Sequence, residues 1–171
     1  MAQAGPRERG QAGGARNNDR HLLALGKLHF LAAFCPLHRR LPAAALARIF
    51  VPAANADSVR FFENEKGDTC AALIWARLTD EAAGRMLRDS RPPDAADWAA
   101  GDHLWFLDLL APFGHARIVA RHIARNPPAE PFRFARLDAV GKLRKVVRGD
   151  ATARAGGRLG ICRAAMRAGG V

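Results

Sequence analysis

A chain of 171 residues with 49% apolar and 25% charged side chains suits one globular domain with its own core, and hardly two. No run approaches the roughly eighteen apolar residues that a membrane helix needs, which excludes a spanning helix. The formal net charge is +11, and residues 142–171 hold eight Lys/Arg against one acidic residue, a field that either solubilises the tail or attracts acidic partners.

In chain order, "MAQAGPRERGQAGGARNNDR" has no apolar h-region and is not a secretory signal. With almost nothing to bury, residues 1–19 read as a disordered leader. The spacing of Leu22, Leu23, Leu25, Leu28, Phe30, Leu31 and Phe34 predicts a helix over 20–34 with one wide apolar face. Pro36 ends it, because the residue before a proline is pushed out of the α region. His38 then falls in the turn after a buried helix, as a surface residue or as a group held to move a proton. A second helix is predicted at 42–50, with Pro42 in its first turn.

Residues 58–78 read as a hairpin around "NEKGD". Thr79 caps a helix over "DEAAGRMLR", whose acids come first and arginines last, as the helix dipole favours. Leu104 to Leu110 is a nearly continuous apolar run, as in a strand buried on both faces, interrupted by Asp108. A carboxylate buried there costs several kcal/mol unless paired or hydrogen-bonded. An arginine, a loop N–H or a histidine that it orients would each satisfy it. Residues 115–126 form a helix with Arg117, Arg121 and Arg125 at i, i+4 and i+8, either a solvated face or a docking ladder for phosphate or carboxylates.

Residues 131–138 and 142–149 read as a closing strand pair, and the tail reads either as a weak helix around 160–167 or as a mobile segment. The alternation gives a single α/β (α+β) domain over 20–149, with a mixed, largely antiparallel sheet flanked by helices and a basic Ala/Gly/Arg tail over 150–171. Three scattered cysteines make neither a disulfide framework nor a C-x-x-C metal site, so no metal is expected and a reducing cytoplasm is the simplest location.

Four stretches occur in order: "LGKLHFLAAFCPLHRRLP", "ALIWARLTDE", "WAAGDHLWFLDLLAPFG" and "FRFARLDAVGKLRKV". Together they resemble the toxin-activating lysine acyltransferases, cytoplasmic bacterial enzymes that activate pore-forming RTX protoxins. The resemblance covers about residues 22–148 and implies a GNAT-like fold. It implies transfer of a fatty acyl group from acyl–acyl carrier protein to internal lysine ε-amines of an RTX protoxin, with no bound cofactor. It also allows a homodimer. It makes His38 of the P-L-H-R box and Asp108 of the W-x-x-D-x-x-A-P-F-G box the catalytic pair. Cys35, where relatives commonly carry serine, is either an acyl-donor positioning residue or a nucleophile. Arg117, Arg121 and Arg125 suit docking of an acidic carrier protein. His103 stands where arginine is common, the chain has no tyrosine, and the tail after Gly149 departs from the family's helical C-terminus.

Histidine suits this chemistry, because a lysine amine with a pKa near 10.4 must lose a proton to attack a thioester. Two other classes fit less well. A nucleic-acid-binding module matches the sequence pI of about 11.2, but only 7% of residues are aromatic and no recognition motif is present. A GNAT acetyltransferase using acyl-CoA would show a Gly-rich pyrophosphate loop, and "APFGH" has one glycine.

Overall fold

The computed structural model describes residues 11–137, 143–150 and 159–162. Helix α1 spans Gln11–Phe34 and α2 Ala43–Asn55, with a 3₁₀ turn at His38–Arg40 between them. The hairpin β1 (Val59–Glu63) and β2 (Thr69–Leu78) follows, then α3 (Asp80–Asp89), β3 (His103–Leu110), α4 (Ala116–Arg125), β4 (Phe132–Leu137), β5 (Leu143–Gly149) and β6 (Leu159–Cys162). The six strands lie in the order β1-β2-β3-β4-β5-β6. Every pair is antiparallel except β3–β4. That pair is parallel because α4 carries the chain back across the sheet, as parallel neighbours require. The mixed α+β architecture is the one expected from the sequence. Among the described residues no helix is long and apolar enough to cross a membrane.

Local signals explain most boundaries. The Thr79 hydroxyl accepts from the Ala82 N–H at 3.1 Å and caps α3. Gly101 lies against the end of β2, where a Cβ would come within 2.0 Å of the Leu78 carbonyl carbon. The glycine of the G-D box is therefore a packing residue, which lets the 95–101 segment bond to β2 through Gly101 N–H to Arg77 O at 3.1 Å.

Four elements differ from the sequence expectation. Helix α1 begins at Gln11, so residues 11–19 continue a helix instead of forming part of a leader. Adding residues to a helix already held by tertiary packing costs little compared with nucleating one. Helix α2 runs through Pro52 to Asn55, because Phe50, Ala53 and Ala54 keep its core face continuous. Residues 159–162 are a strand on the edge of β5, with Val146 opposite Cys162, and not the start of a helix. Pairing satisfies the edge backbone groups of β5, and Gly160 is a poor helix former. The rest of that expected helix lies outside the described residues. Finally, β3 is not buried throughout, since Leu109 is 40% exposed.

Two apolar clusters cover the two sheet faces. Leu28 and Leu31 of α1 pack with Phe50, Ile74, Trp105 and Leu110 on one. Val119 of α4 packs with Phe62, Ala71 and Leu73 on the other, with Phe106 and Ile123 against them. Trp105 and Leu110, five residues apart on one strand, would fall on opposite faces of a regular pleat. They share a cluster because β3 bulges: Ile74 is opposite Asp108 while Trp75 is opposite Phe106, leaving Leu107 unpaired. The extra residue reverses the alternation, so Asp108 as well as Leu110 turns toward α1.

Candidate active site

His38 is placed by the way α1 stops. The Cys35 N–H still bonds back to Leu31 O at 3.1 Å, while the Arg39 N–H bonds to Cys35 O at 3.0 Å. Pro36 has no N–H to give and turns the chain into the 3₁₀ turn that starts at His38. The turn tucks the imidazole under the sheet, where the residue is only 6% exposed.

Asp108 reaches the ring from the bulged strand. Its Oδ2 lies 2.8 Å from His38 Nε2. Its Oδ1 accepts from the Leu109 N–H at 2.8 Å. The half-buried carboxylate is thus satisfied by a histidine and a backbone donor together. Cys35 Sγ lies 3.0 Å from the other ring nitrogen, Nδ1. The three side chains form a line: thiol, imidazole, carboxylate.

The electrostatics assign the ring nitrogens. An ionised Asp108 can only accept, so Nε2 carries a proton toward it. Nδ1 is then the nitrogen that gains or loses a proton, and it faces the thiol. Burial pulls the His38 pKa down, but the hydrogen bond and charge of Asp108, with a smaller contribution from Cys35, outweigh it and push the value up to about 9. At neutral pH the resting pair is an imidazolium against a carboxylate.

The other sequence candidates lie elsewhere. Arg117, Arg121 and Arg125 are exposed on α4 and make no ion pair among the described residues. Helix α4 packs through Val119 on the sheet face opposite α1, so the arginine stripe does not join the triad. His103 stands at the other end of β3 and pairs with Asp80 at 3.1 Å, which Arg133 also holds at 3.0 Å. The cleft of about 590 Å³ between α2 and α3 contains no triad residue, and its Arg85 is already paired with Glu81 and Asp97. Of the partners that the sequence allowed for Asp108, a histidine and a backbone N–H both serve, and the donor is that of Leu109.

The chain is similar in sequence to several known proteins. Residues 17–149 match the model of the HlyC family, the RTX toxin acyltransferase family. The RTX-I toxin-activating lysine-acyltransferase ApxIC of Actinobacillus pleuropneumoniae is 34% identical over 122 residues, 71% of this chain and 70% of that protein. The protein-lysine myristoyltransferase HlyC of Escherichia coli is 32% identical over 130 residues, 76% of each chain. The lysine-acyltransferase RtxC of Vibrio cholerae is 29% identical over 102 residues, 60% of this chain and 67% of that protein. With a family match spanning most of its length, this chain belongs to the RTX toxin acyltransferase family.

Proposed function

We propose that the protein is a cytoplasmic lysine acyltransferase that moves a fatty acyl group from acyl–acyl carrier protein to internal lysine ε-amines of an RTX protoxin, and so activates it. The observation that carries this reading is the buried His38–Asp108 hydrogen bond of 2.8 Å in a chain of this family.

In this reading the neutral lysine amine attacks the thioester carbonyl. His38 Nδ1 takes the proton that the amine nitrogen sheds, and Asp108 holds the imidazolium that forms. The C–S bond breaks, and the same Nδ1–H protonates the departing pantetheine sulfur. Nothing is oxidised, and the proton ends on the thiol. A base with a pKa of about 9 is a strong acceptor for an ammonium proton. At neutral pH the neutral form is the minor one. Cys35 occupies the position beside Nδ1 that the incoming amine needs, so it positions the thioester and yields that place to the amine. The 3.0 Å contact also supports a second route, in which the Cys35 thiol gives its proton to Nδ1 and takes the acyl group itself.

Intact-mass measurement separates the two routes and tests the whole reading. Wild type and Cys35→Ser, mixed with acyl–acyl carrier protein and a protoxin fragment, both add acyl groups to the fragment if transfer is direct. An acyl adduct on the enzyme that disappears in Cys35→Ser moves the chemistry to the thiol. No addition to any lysine by wild type overturns the proposed activity.

The arginine stripe fits an acidic carrier protein by charge, although it stands on the other sheet face from His38. Charge reversal by Arg121→Glu should raise the KM for the carrier-protein donor about tenfold at low salt, with less effect at high salt. An unchanged KM in steady-state assays would assign the stripe to solvation alone.

A further inference from the structure

The stretches of chain that meet at the His38–Asp108 pair are cationic. Residues 20–56, which carry His38, contain five Lys/Arg and no Asp or Glu. Residues 109–129, which follow Asp108, contain three arginines and again no acid. Asp108 itself is taken by His38 Nε2 at 2.8 Å and by the Leu109 N–H at 2.8 Å.

Arg39 and Arg40 are the cations nearest to the imidazole along the chain. Both are exposed, and neither makes an ion pair among the described residues. They share the 3₁₀ turn His38–Arg40 with the histidine. At about three residues per turn, successive side chains point about 120° apart. With the imidazole turned into the protein, the two guanidiniums are carried out on either side of it. Leu37 and Leu41, 45% and 44% exposed, stand at the two ends of the turn. The turn that holds His38 therefore presents two cations and two apolar side chains to solvent.

An acceptor lysine must bring its amine to Nδ1, the ring nitrogen beside the partly exposed Cys35. From Cα to Nζ a lysine side chain has five bonds of about 1.5 Å and extends about 6 Å. The acceptor backbone thus passes close to the turn that carries His38. Along an extended segment, neighbours two or three positions from the lysine lie about 7–10 Å away. The acyl donor differs, because its pantetheine arm holds the carrier protein's surface well away from the sulfur. The lysine arrives as an ammonium at a place that holds an imidazolium and two guanidiniums, and like charges repel. Carboxylates beside the lysine offset that repulsion, and an arginine fork binds a carboxylate through two hydrogen bonds.

We propose that Arg39 and Arg40 determine acceptor specificity by selecting lysines that have Asp or Glu within about three residues. The selection rests on the lysine-acylation reading and deepens it, since it names the class of segment that the site takes. The guanidiniums hold the segment's carboxylates and do not touch the reacting atoms.

The test uses the full chain with acyl–acyl carrier protein and short N-acetylated peptides, each with one lysine flanked by Glu, by Gln or by Arg. Wild type should acylate the Glu-flanked peptide with kcat/KM about tenfold above the Gln-flanked one, mainly through KM, and the gap should narrow at high salt. Peptide affinity, read by fluorescence anisotropy, should follow the same order. Arg39→Gln with Arg40→Gln should abolish the preference, and Arg39→Glu with Arg40→Glu should turn it toward Arg flanks. That reversal is a gain that a misfolded protein cannot show. Equal kcat/KM for all three peptides with wild type overturns the proposal, as does a Glu preference that survives the charge reversal. A rise in KM for the carrier-protein donor alone gives the two arginines to the carrier protein and overturns it as well. The two readings fail separately. Acylation without regard to flanks sinks the acceptor selection alone, and Glu-selective binding without transfer to any lysine sinks the lysine-acylation reading alone.

Discussion

Replacing His38 with glutamine is expected to lower acyl transfer by a thousandfold or more while the protein stays folded. General base catalysis by a positioned side chain contributes about 10²–10⁴ in rate, and the same imidazole would also protonate the leaving sulfur. Glutamine keeps an N–H that can reach Asp108 Oδ2, now 2.8 Å from Nε2, but cannot carry the proton from amine to sulfur. Alanine is a poorer choice, because it leaves the Asp108 carboxylate buried without its main partner. Breaking such a pair costs about 3–5 kcal/mol. Single-turnover transfer, with thermal unfolding as the control, reads both effects. Activity within tenfold of wild type in a folded His38→Gln protein would remove His38 from the chemistry.

The second large effect is expected at Asp108→Asn, with about a hundred- to ten-thousandfold loss of transfer. Asparagine has nearly the same shape but no charge. The nitrogen that carries the neutral ring's proton is then no longer dictated, and the imidazolium loses its support. The His38 pKa should fall as well. Burial acts to lower it, and the contributions of Asp108 are the larger of those that raise it to about 9. Imidazole NMR titration of the free enzyme should therefore move from about 9 toward or below the ordinary 6.5. The variant would hold more neutral imidazole at pH 7 and still be slow, which separates orientation and charge support from simple basicity.

The same shift has a consequence for stability. The folded-state pKa lies above the unfolded one, so folding takes up a proton between about 6.5 and about 9. The stabilisation from the pair is complete below the lower value and fades as pH rises through the upper one. Wild type should lose stability across that window, and His38→Gln should not. Chemical denaturation at both ends of the window measures this, and parallel curves for the two proteins would mean that the resting imidazole is not raised.

Much of the frame was legible before any coordinates. Pro36 ends α1, Thr79 caps α3 and "NEKGD" turns the first hairpin. Each is a short-range steric or hydrogen-bonding rule applied within a few residues of chain. Asp108 was legible as a carboxylate needing a partner, because a lone charge among leucines is costly wherever the strand lies. Only the tertiary structure decided which partner it has. His38 lies 70 positions away, and the bulge at Leu107 is what turns Asp108 toward it. A single extra residue reverses strand parity, and no periodicity in the β3 sequence announces it.

The same limit hid the second face of α1. Periodicity marks which residues are apolar but not which side meets the core, so Phe30 and Phe34 join the one wide apolar face in the sequence although both are half exposed. It hid β6 too, since an Ala/Gly/Arg segment has weak preferences and takes its form from the strand edge that it pairs with. The sequence by itself determined most of the elements and singled out His38 and Asp108 as the candidate pair. Packing between distant segments decided which ring nitrogen meets Asp108 and that the Cys35 thiol faces the other, because those depend on which surfaces the chain brings together.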